Sequence, residues 1–160
     1  MKIVIASDER CELTTALIAE VKSYGHEIIL LGALNSANLD TDWPICCGQA
    51  AQYVAQGQAD EGIACCWTGT GASIIANKVP GIRAALCQDR ETAKGARIWN
   101  HANVLALSLR STSIPVMKEI IGTWFETSPL HPDGQTEWNL KQLAYLKIFE
   151  KQFKNGSIET

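Results

Sequence analysis

The sequence predicts an α/β fold, a three-layer αβα sandwich of Rossmann-like type around a five-stranded parallel sheet. Three observations predict it. Short apolar runs alternate with longer helical patterns in the order βαβαβαβαβα, which calls for crossover connections and a parallel sheet. The runs are bounded by glycine and proline breakers at the places where strands and helices must turn. The 160 residues contain no repeat, low-complexity segment or linker, so a single domain is expected over 1–160.

The elements follow in order. Residues 2–6 (KIVIA) read as a buried strand, with Ser7-Asp8 as the turn after it. Residues 12–24 carry Leu13, Ala16, Leu17 and Val21 at helical spacing, and Gly25 stands where a helix ends. A second strand covers 26–31 and a polar loop 33–41. Asp42-Trp43-Pro44 opens a helix that runs to about Gln56. Residues 61–66 (EGIACC) form a third strand, Thr68-Gly69-Thr70-Gly71 a glycine-rich turn, and 72–78 a short helix. Strands at 82–87 and 103–107, helices at 90–98 and 114–126, a loop at 128–134 and a long helix at 136–153 complete the chain.

Composition removes several function classes. The formal net charge is −3, with 46% hydrophobic and 19% charged residues. No run of like charges suggests a nucleic-acid surface. No apolar stretch reaches the roughly 18 residues that span a bilayer, and the apolar run at the N-terminus is too short for a signal peptide. A cytoplasmic location is expected, with no nucleic-acid or membrane partner. The six cysteines, at 11, 46, 47, 65, 66 and 87, read first as small buried hydrophobes. Adjacent cysteines in a strand face opposite sides, a poor zinc geometry, and disulfides are not expected without an export signal.

In a parallel sheet the site lies beyond the carboxyl ends of the strands. Four exits matter: residues 7–10, 66–71, 87–90 and 108–110. The segment Cys66-Trp67-Thr68-Gly69-Thr70-Gly71 is the most informative. Its glycines let amide groups turn toward one point, and the next helix adds its positive end. Such a nest suits a phosphate or a developing oxyanion; a plain strand-to-helix turn would look the same. Cys66 stands at the mouth of the turn, where aligned amides favour a thiolate. A thiolate serves as nucleophile, metal ligand or general base. No cysteine or histidine spacing supports a metal, and none of His26, His101 and His131 is marked as a partner by a motif. The residues alone reach as far as an anion-binding turn with a reactive thiol.

A longer pattern goes further. Cys66, Thr68–Gly71, Ser73-Ile74 and the run ANKVPGIRAALC over 76–87, with Asn100, the ANVLAL block at 102–107, the opening KIVIASD and the pair Asp42 with Pro44, resemble the ribose-5-phosphate isomerase B / galactose-6-phosphate isomerase family. The resemblance covers residues 1 to about 126. It implies interconversion of aldose and ketose sugar phosphates through a cis-enediolate, without metal or cofactor. It implies that Cys66 moves a proton between C1 and C2. Members that use a glutamate instead carry it where this chain has Ala72. The resemblance also implies that Thr68 assists ring opening or oxygen-proton transfer and that the Gly69, Thr70 and Gly71 backbone stabilises the enediolate oxygen. Asp8 would bind sugar hydroxyls, Asn100 would lie beside the enediolate oxygens, and Arg110 would stand at the phosphate end. Family sites form between subunits, so a homodimer or homotetramer is expected. Residues 8–11, 42–43 and 66–71 would come from one subunit, and 99–101 with the C-terminal helix from another.

The departures cluster in the substrate site. Glu9 replaces a histidine and brings a repelling charge near a phosphate; Arg10, usually a small residue, restores a cation or pairs with Glu9. Trp99 replaces the histidine that assists ring opening, and indole offers a donor but no base. His101, two residues on, is the possible substitute. Cys46 stands for a tyrosine, and Trp67 for a glycine after the cysteine, narrowing a pocket that Trp43 also borders. Gln135 and Asn139 stand where arginines grip phosphate. The expected activity is an aldose–ketose isomerase of ribose-5-phosphate type with an altered substrate, a small sugar or sugar phosphate. A second expectation is a partner subunit of a hetero-oligomeric isomerase, and a third a thiol redox protein using Cys65 and Cys66.

Overall fold

The computed structural model describes residues 1–37 and 41–154. Part of the expected polar loop at 33–41 and the last residues of the 1–160 domain lie outside the described residues. Five strands, β1 (Lys2–Ser7), β2 (Glu27–Gly32), β3 (Glu61–Cys66), β4 (Ala84–Leu86) and β5 (Val104–Ser108), form one parallel sheet in the order β2-β1-β3-β5-β4. Six α-helices connect and follow them: α1 (Glu12–Ser23), α2 (Trp43–Ala55), α3 (Thr70–Ala76), α4 (Arg90–Asn100), α5 (Ile114–Glu126) and α6 (Glu137–Lys154). The α/β architecture expected from the alternating pattern is the one observed.

The pleat divides the core into two layers. Ile3, Ile5, Ile63, Cys65, Leu105 and Leu107 face α1, α4 and α5, with Trp124 fully buried among them. Val4, Ala6, Ala64, Cys66, Val104 and Ala106 face α2 and α3. Successive strand residues point to opposite faces, so Cys65 and Cys66 part company as their adjacency predicts. The α2–α3 layer is thin, built largely on Cys46, Cys47, Ala50, Ala51, Ala72 and Ala76, which lets those helices sit close to the sheet.

Helix starts follow local chemistry. The Asp89 side chain accepts from Thr92 N–H at 2.7 Å and the Ser113 side chain from Val116 N–H at 3.4 Å, satisfying first-turn donors of α4 and α5. Pro44 and Pro115 sit in the first turns of α2 and α5, where a missing N–H costs nothing. Most boundaries shift by a residue or two from the sequence reading, and two shifts have a clear local cause. β4 spans three residues rather than six, because the Ile82 amide turns back to Val79 O and the Asn103 side chain takes the Arg83 amide. α3 starts at Thr70, two residues earlier than periodicity suggests, because Gly69 supplies the reversal by itself.

Candidate active site

β3 lies at the centre of the sheet, between β1 and β5, so the exits of these three strands converge. Ser7 ends β1 fully buried; its hydroxyl donates to Glu9 O at 2.8 Å and accepts from Glu9 N–H at 3.2 Å. This local turn leaves the Asp8 side chain half-buried. Asp8 does not cap α1, whose first residues are instead served by Thr14, which accepts the Cys11 amide at 2.9 Å. Asp8 Oδ1 is buried with no hydrogen-bond partner. Burial, then the charges of Glu9 and Asp42, raise its pKa above the usual carboxylate value. Arg10 does not pair with Glu9; its guanidinium donates to Leu34 O at 3.1 Å.

The turn after β3 is built around one obligatory glycine. Gly69 has φ +74°, and a Cβ there would stand 2.5 Å from Leu86 Cδ1 and 2.9 Å from backbone atoms of Leu107 and Ser108. No other residue fits such a position. The Gly69 amide donates to Cys66 O at 3.2 Å, and Gly69 O accepts from Ser73 N–H at 3.0 Å. The Ala72 amide donates to Cys66 Sγ at 3.4 Å. The amides of Thr70 and Gly71 meet no acceptor among the described residues. Of the amides from Gly69 to Ala72, one holds the thiol, one closes the turn, and two are free for an anion. Thr68 and Thr70 join their hydroxyls at 2.7 Å over this turn, both residues exposed.

Cys66 is 4% exposed, so its thiol lies beneath the surface rather than at its lip. The reason is its place: it is the last residue of a central strand, on the face that α2 and α3 cover. Its neighbour Trp67 turns outward and is 54% exposed. Trp43, at the start of α2, lays its indole against Gly71, where a Cβ would meet Cε3 and Cζ3 at 2.9 Å. The Trp43 indole thus borders the turn. One tie was not singled out from sequence. The Ser108 hydroxyl donates to Trp67 O at 3.0 Å, the Leu109 amide to Cys66 O at 3.0 Å and the Arg110 amide to Trp67 O at 3.0 Å. These bonds lock the residue after the thiol to the β5 exit and put exposed Arg110 beside the turn. Their basis is the β3–β5 register, Cys66 opposite Ser108, which leaves no local mark in the sequence.

Trp99, Asn100 and His101 are not brought to Cys66 within the chain. α4 runs back from the β4 exit, so its last residues stand at the opposite end of the sheet. The exposed Trp99 ring covers Gly95, where a Cβ would meet Cζ3 at 2.8 Å. His101 closes α4 in the left-handed region at φ 49°, with Nε2 buried and unpartnered. Burial, then the Arg83, Lys147 and Arg97 cations, lower its pKa. Gln135 and Asn139 serve the loop before α6: Gln135 donates to Pro129 O at 3.1 Å, and buried Asn139 to Gly134 O at 2.8 Å. α6 stands across a groove of about 1440 Å³ from α4 and the 77–86 segment, and Trp138, Tyr145, Leu146 and Phe149 on it are exposed. Among the described residues no group of three His, Cys, Asp or Glu side chains is placed to share a metal ion. No described helix is long and apolar enough to cross a membrane.

The family model for Ribose/Galactose Isomerase matches residues 3–142. The chain belongs to this family. The ribose/galactose isomerase assignment agrees with individual relatives. The galactose-6-phosphate isomerase subunit LacB of Clostridium acetobutylicum is 43% identical over 66% of this chain and 60% of its own length. Ribose-5-phosphate isomerase B of Escherichia coli is 39% identical over 68% of this chain and 71% of its own. D-erythrulose-4-phosphate isomerase of Pectobacterium atrosepticum is 46% identical over 63% of this chain and 65% of its own. The match thus spans about two thirds of the length of these curated relatives. The solved ribose-5-phosphate isomerase B of Clostridium thermocellum superposes with a TM-score of 0.84 at 34% identity, covering 96% of this chain and 99% of that one.

Proposed function

We propose that this ribose/galactose isomerase family member is an aldose–ketose isomerase, an intramolecular oxidoreductase acting on a sugar phosphate through a cis-enediolate. Cys66 is the carbon base. The observation that carries this reading is the thiol's position: the end of the central strand, held by the Ala72 amide and roofed by a turn with two free amides. The thiolate takes the proton from C2 of the aldose, the amides of Thr70 and Gly71 receive the oxygen that gains charge, and the thiol returns a proton to C1. Thr68 serves the oxygens. The orphaned Asp8 oxygen accepts a sugar hydroxyl, which supplies the partner it lacks.

The favoured substrate is one that stays open-chain. Trp99 holds the place of the family's ring-opening histidine, and the phosphate-gripping positions carry Gln135 and Asn139, both engaged with the 129–134 segment before α6. A tetrose 4-phosphate carries phosphate on the only oxygen that closes a five-membered ring, so it needs no ring-opening base. The 46% identical relative named for D-erythrulose 4-phosphate supports this choice. Arg10 and Arg110 are the cations available for phosphate on the Cys66 side. The working form is a homodimer, singly or paired as a tetramer, in which Trp99, Asn100 and His101 of a second copy complete the site; the exposed apolar face of α6 supports it. A cytoplasmic location accords with such substrates.

The test is a panel of ribose 5-phosphate, galactose 6-phosphate and D-erythrulose 4-phosphate in deuterated water, followed by NMR. Wild-type protein is expected to exchange the C1 or C2 proton and to favour the tetrose phosphate by at least roughly 10-fold in kcat/KM. Cys66→Ala should lose roughly 10²–10⁴-fold in turnover, the usual share of a general base. Unchanged isomerisation by Cys66→Ala would falsify the assignment. The relative that is a LacB subunit favours one second reading, a chain active only beside a related partner. Activity that appears only on co-expression with such a homologue would decide for it.

A further inference from the structure

We propose that Thr70 is a positioning residue, whose hydroxyl fixes the Thr68 hydroxyl in the orientation that relays the oxygen-bound proton of the enediolate. The proposal rests on the reading of Cys66 as the carbon base and extends it to the second proton that isomerisation must move. The observation is the 2.7 Å contact between Thr68 Oγ1 and Thr70 Oγ1, in the turn that follows the thiol.

The proton count sets the requirement. Once Cys66 has taken hydrogen from C2, the enediolate carries a bare O1 and a protonated O2. The ketose needs hydrogen on O1 and none on O2. Thr68 gives its hydroxyl proton to O1 and takes the O2 proton in its place, so it ends as it began. This exchange needs the Thr68 hydrogen aimed at O1 and a lone pair aimed at O2. A threonine hydroxyl by itself rotates among staggered positions. A hydroxyl that accepts a hydrogen bond is also the better donor. Either hydroxyl can donate across the 2.7 Å contact; with Thr70 as the donor, the Thr68 hydrogen stays free for O1 and its rotation is restricted.

The backbone makes the arrangement rigid. Gly69 separates the two threonines and is confined by Leu86, Leu107 and Ser108, and Thr70 is the first residue of α3. The two hydroxyls therefore meet across a tight turn whose backbone conformation Gly69 sets. Among the described residues the Thr70 side chain makes no other hydrogen bond, neither capping α3 nor bonding the core.

The experiment compares Thr70→Val, Thr70→Ser, Thr68→Val and the double variant Thr68→Val/Thr70→Val, each checked by thermal melting, on the best substrate of the panel in deuterated water. Thr70→Val is expected to lower kcat about 5- to 20-fold with KM within about 2-fold, and to raise the ratio of carbon-proton exchange to net conversion. That ratio rises because the enediolate returns to its starting sugar when the oxygen proton moves slowly. Thr70→Ser restores kcat to within about 2-fold, and Thr70→Val adds less than about 2-fold in the Thr68→Val background. An unchanged kcat, a loss as large without Thr68, or no rescue by serine overturns the proposal while leaving the Cys66 reading intact. Full activity in Cys66→Ala, or no conversion anywhere on the panel, removes that reading and this proposal with it.

Discussion

One oxygen of the Asp8 carboxylate is buried without a hydrogen-bond partner, and burial with the charges of Glu9 and Asp42 raises its pKa. A carboxyl that binds its proton more tightly folded than unfolded favours the fold in acid. That contribution is lost as pH rises from the ordinary value of 3.8 through the raised folded value. At neutral pH Asp8 is therefore a cost to stability, which the proposed contact with a sugar hydroxyl would offset. Asp8→Asn should raise Tm at pH 7 by about 2 °C, and the gain should vanish near about pH 3. The same substitution should lower kcat/KM roughly 10- to 100-fold, the size of a hydrogen bond to a charged group. A lower Tm at pH 7 would show that the carboxylate stabilises the fold instead. The sequence marks Asp8 only as a residue at a strand exit. That its carboxylate is left out of the helix start follows from the Ser7 turn and the Thr14 contact with Cys11, which depend on where the chain folds back.

At the scale of elements, an ion pair ties the start of β3 to α4 and α5. Buried Arg97 donates to Glu61 at 2.6 Å and to the Ala102 carbonyl at 2.7 Å; Trp124 Nε1 donates to the second Glu61 oxygen at 2.7 Å. The guanidinium also lies 4.8 Å from the Trp124 ring centre. Every strong group has a partner, so removing one strands the other. Glu61→Ala is expected to cost about 3–5 kcal/mol by urea denaturation, as for a buried charge left alone, whereas Glu61→Gln keeps the Trp124 bond and costs less. Equal losses would mean that charge plays no part. This network was not legible in the sequence: Glu61 opens a strand and Arg97 lies within a helix 36 residues on, with nothing local to pair them. The strands and helices themselves were legible, because apolar periodicity is local. So was the opposition of Cys65 and Cys66, which follows from the pleat. The early start of α3 was not, since it depends on Gly69 wedging between Leu86 and β5.

At the scale of the molecule, the crossover rule that places Cys66 at one end of the sheet places Trp99, Asn100 and His101 at the other. A chain in which both sets act on one sugar must meet a second copy. The long α6, standing off the body with Trp138, Tyr145 and Leu146 exposed beside the Trp99 region, offers the surface that such a meeting buries. Two consequences follow and they are separable. Leu146→Glu should shift the protein to monomer in sedimentation and abolish turnover, although Cys66 is untouched. Mixing is the sharper test. Cys66→Ala and Asn100→Ala chains, each inactive alone, should regain activity when co-expressed, because a hybrid dimer contains one site with both groups intact. With random pairing, half the dimers are hybrids and one site in each is whole, so recovery should approach roughly a quarter of wild-type activity. No recovery, with hybrids demonstrated by mass spectrometry, would mean that each chain completes its own site, and the function proposed for residues 99–101 would fall while the role of Cys66 stood.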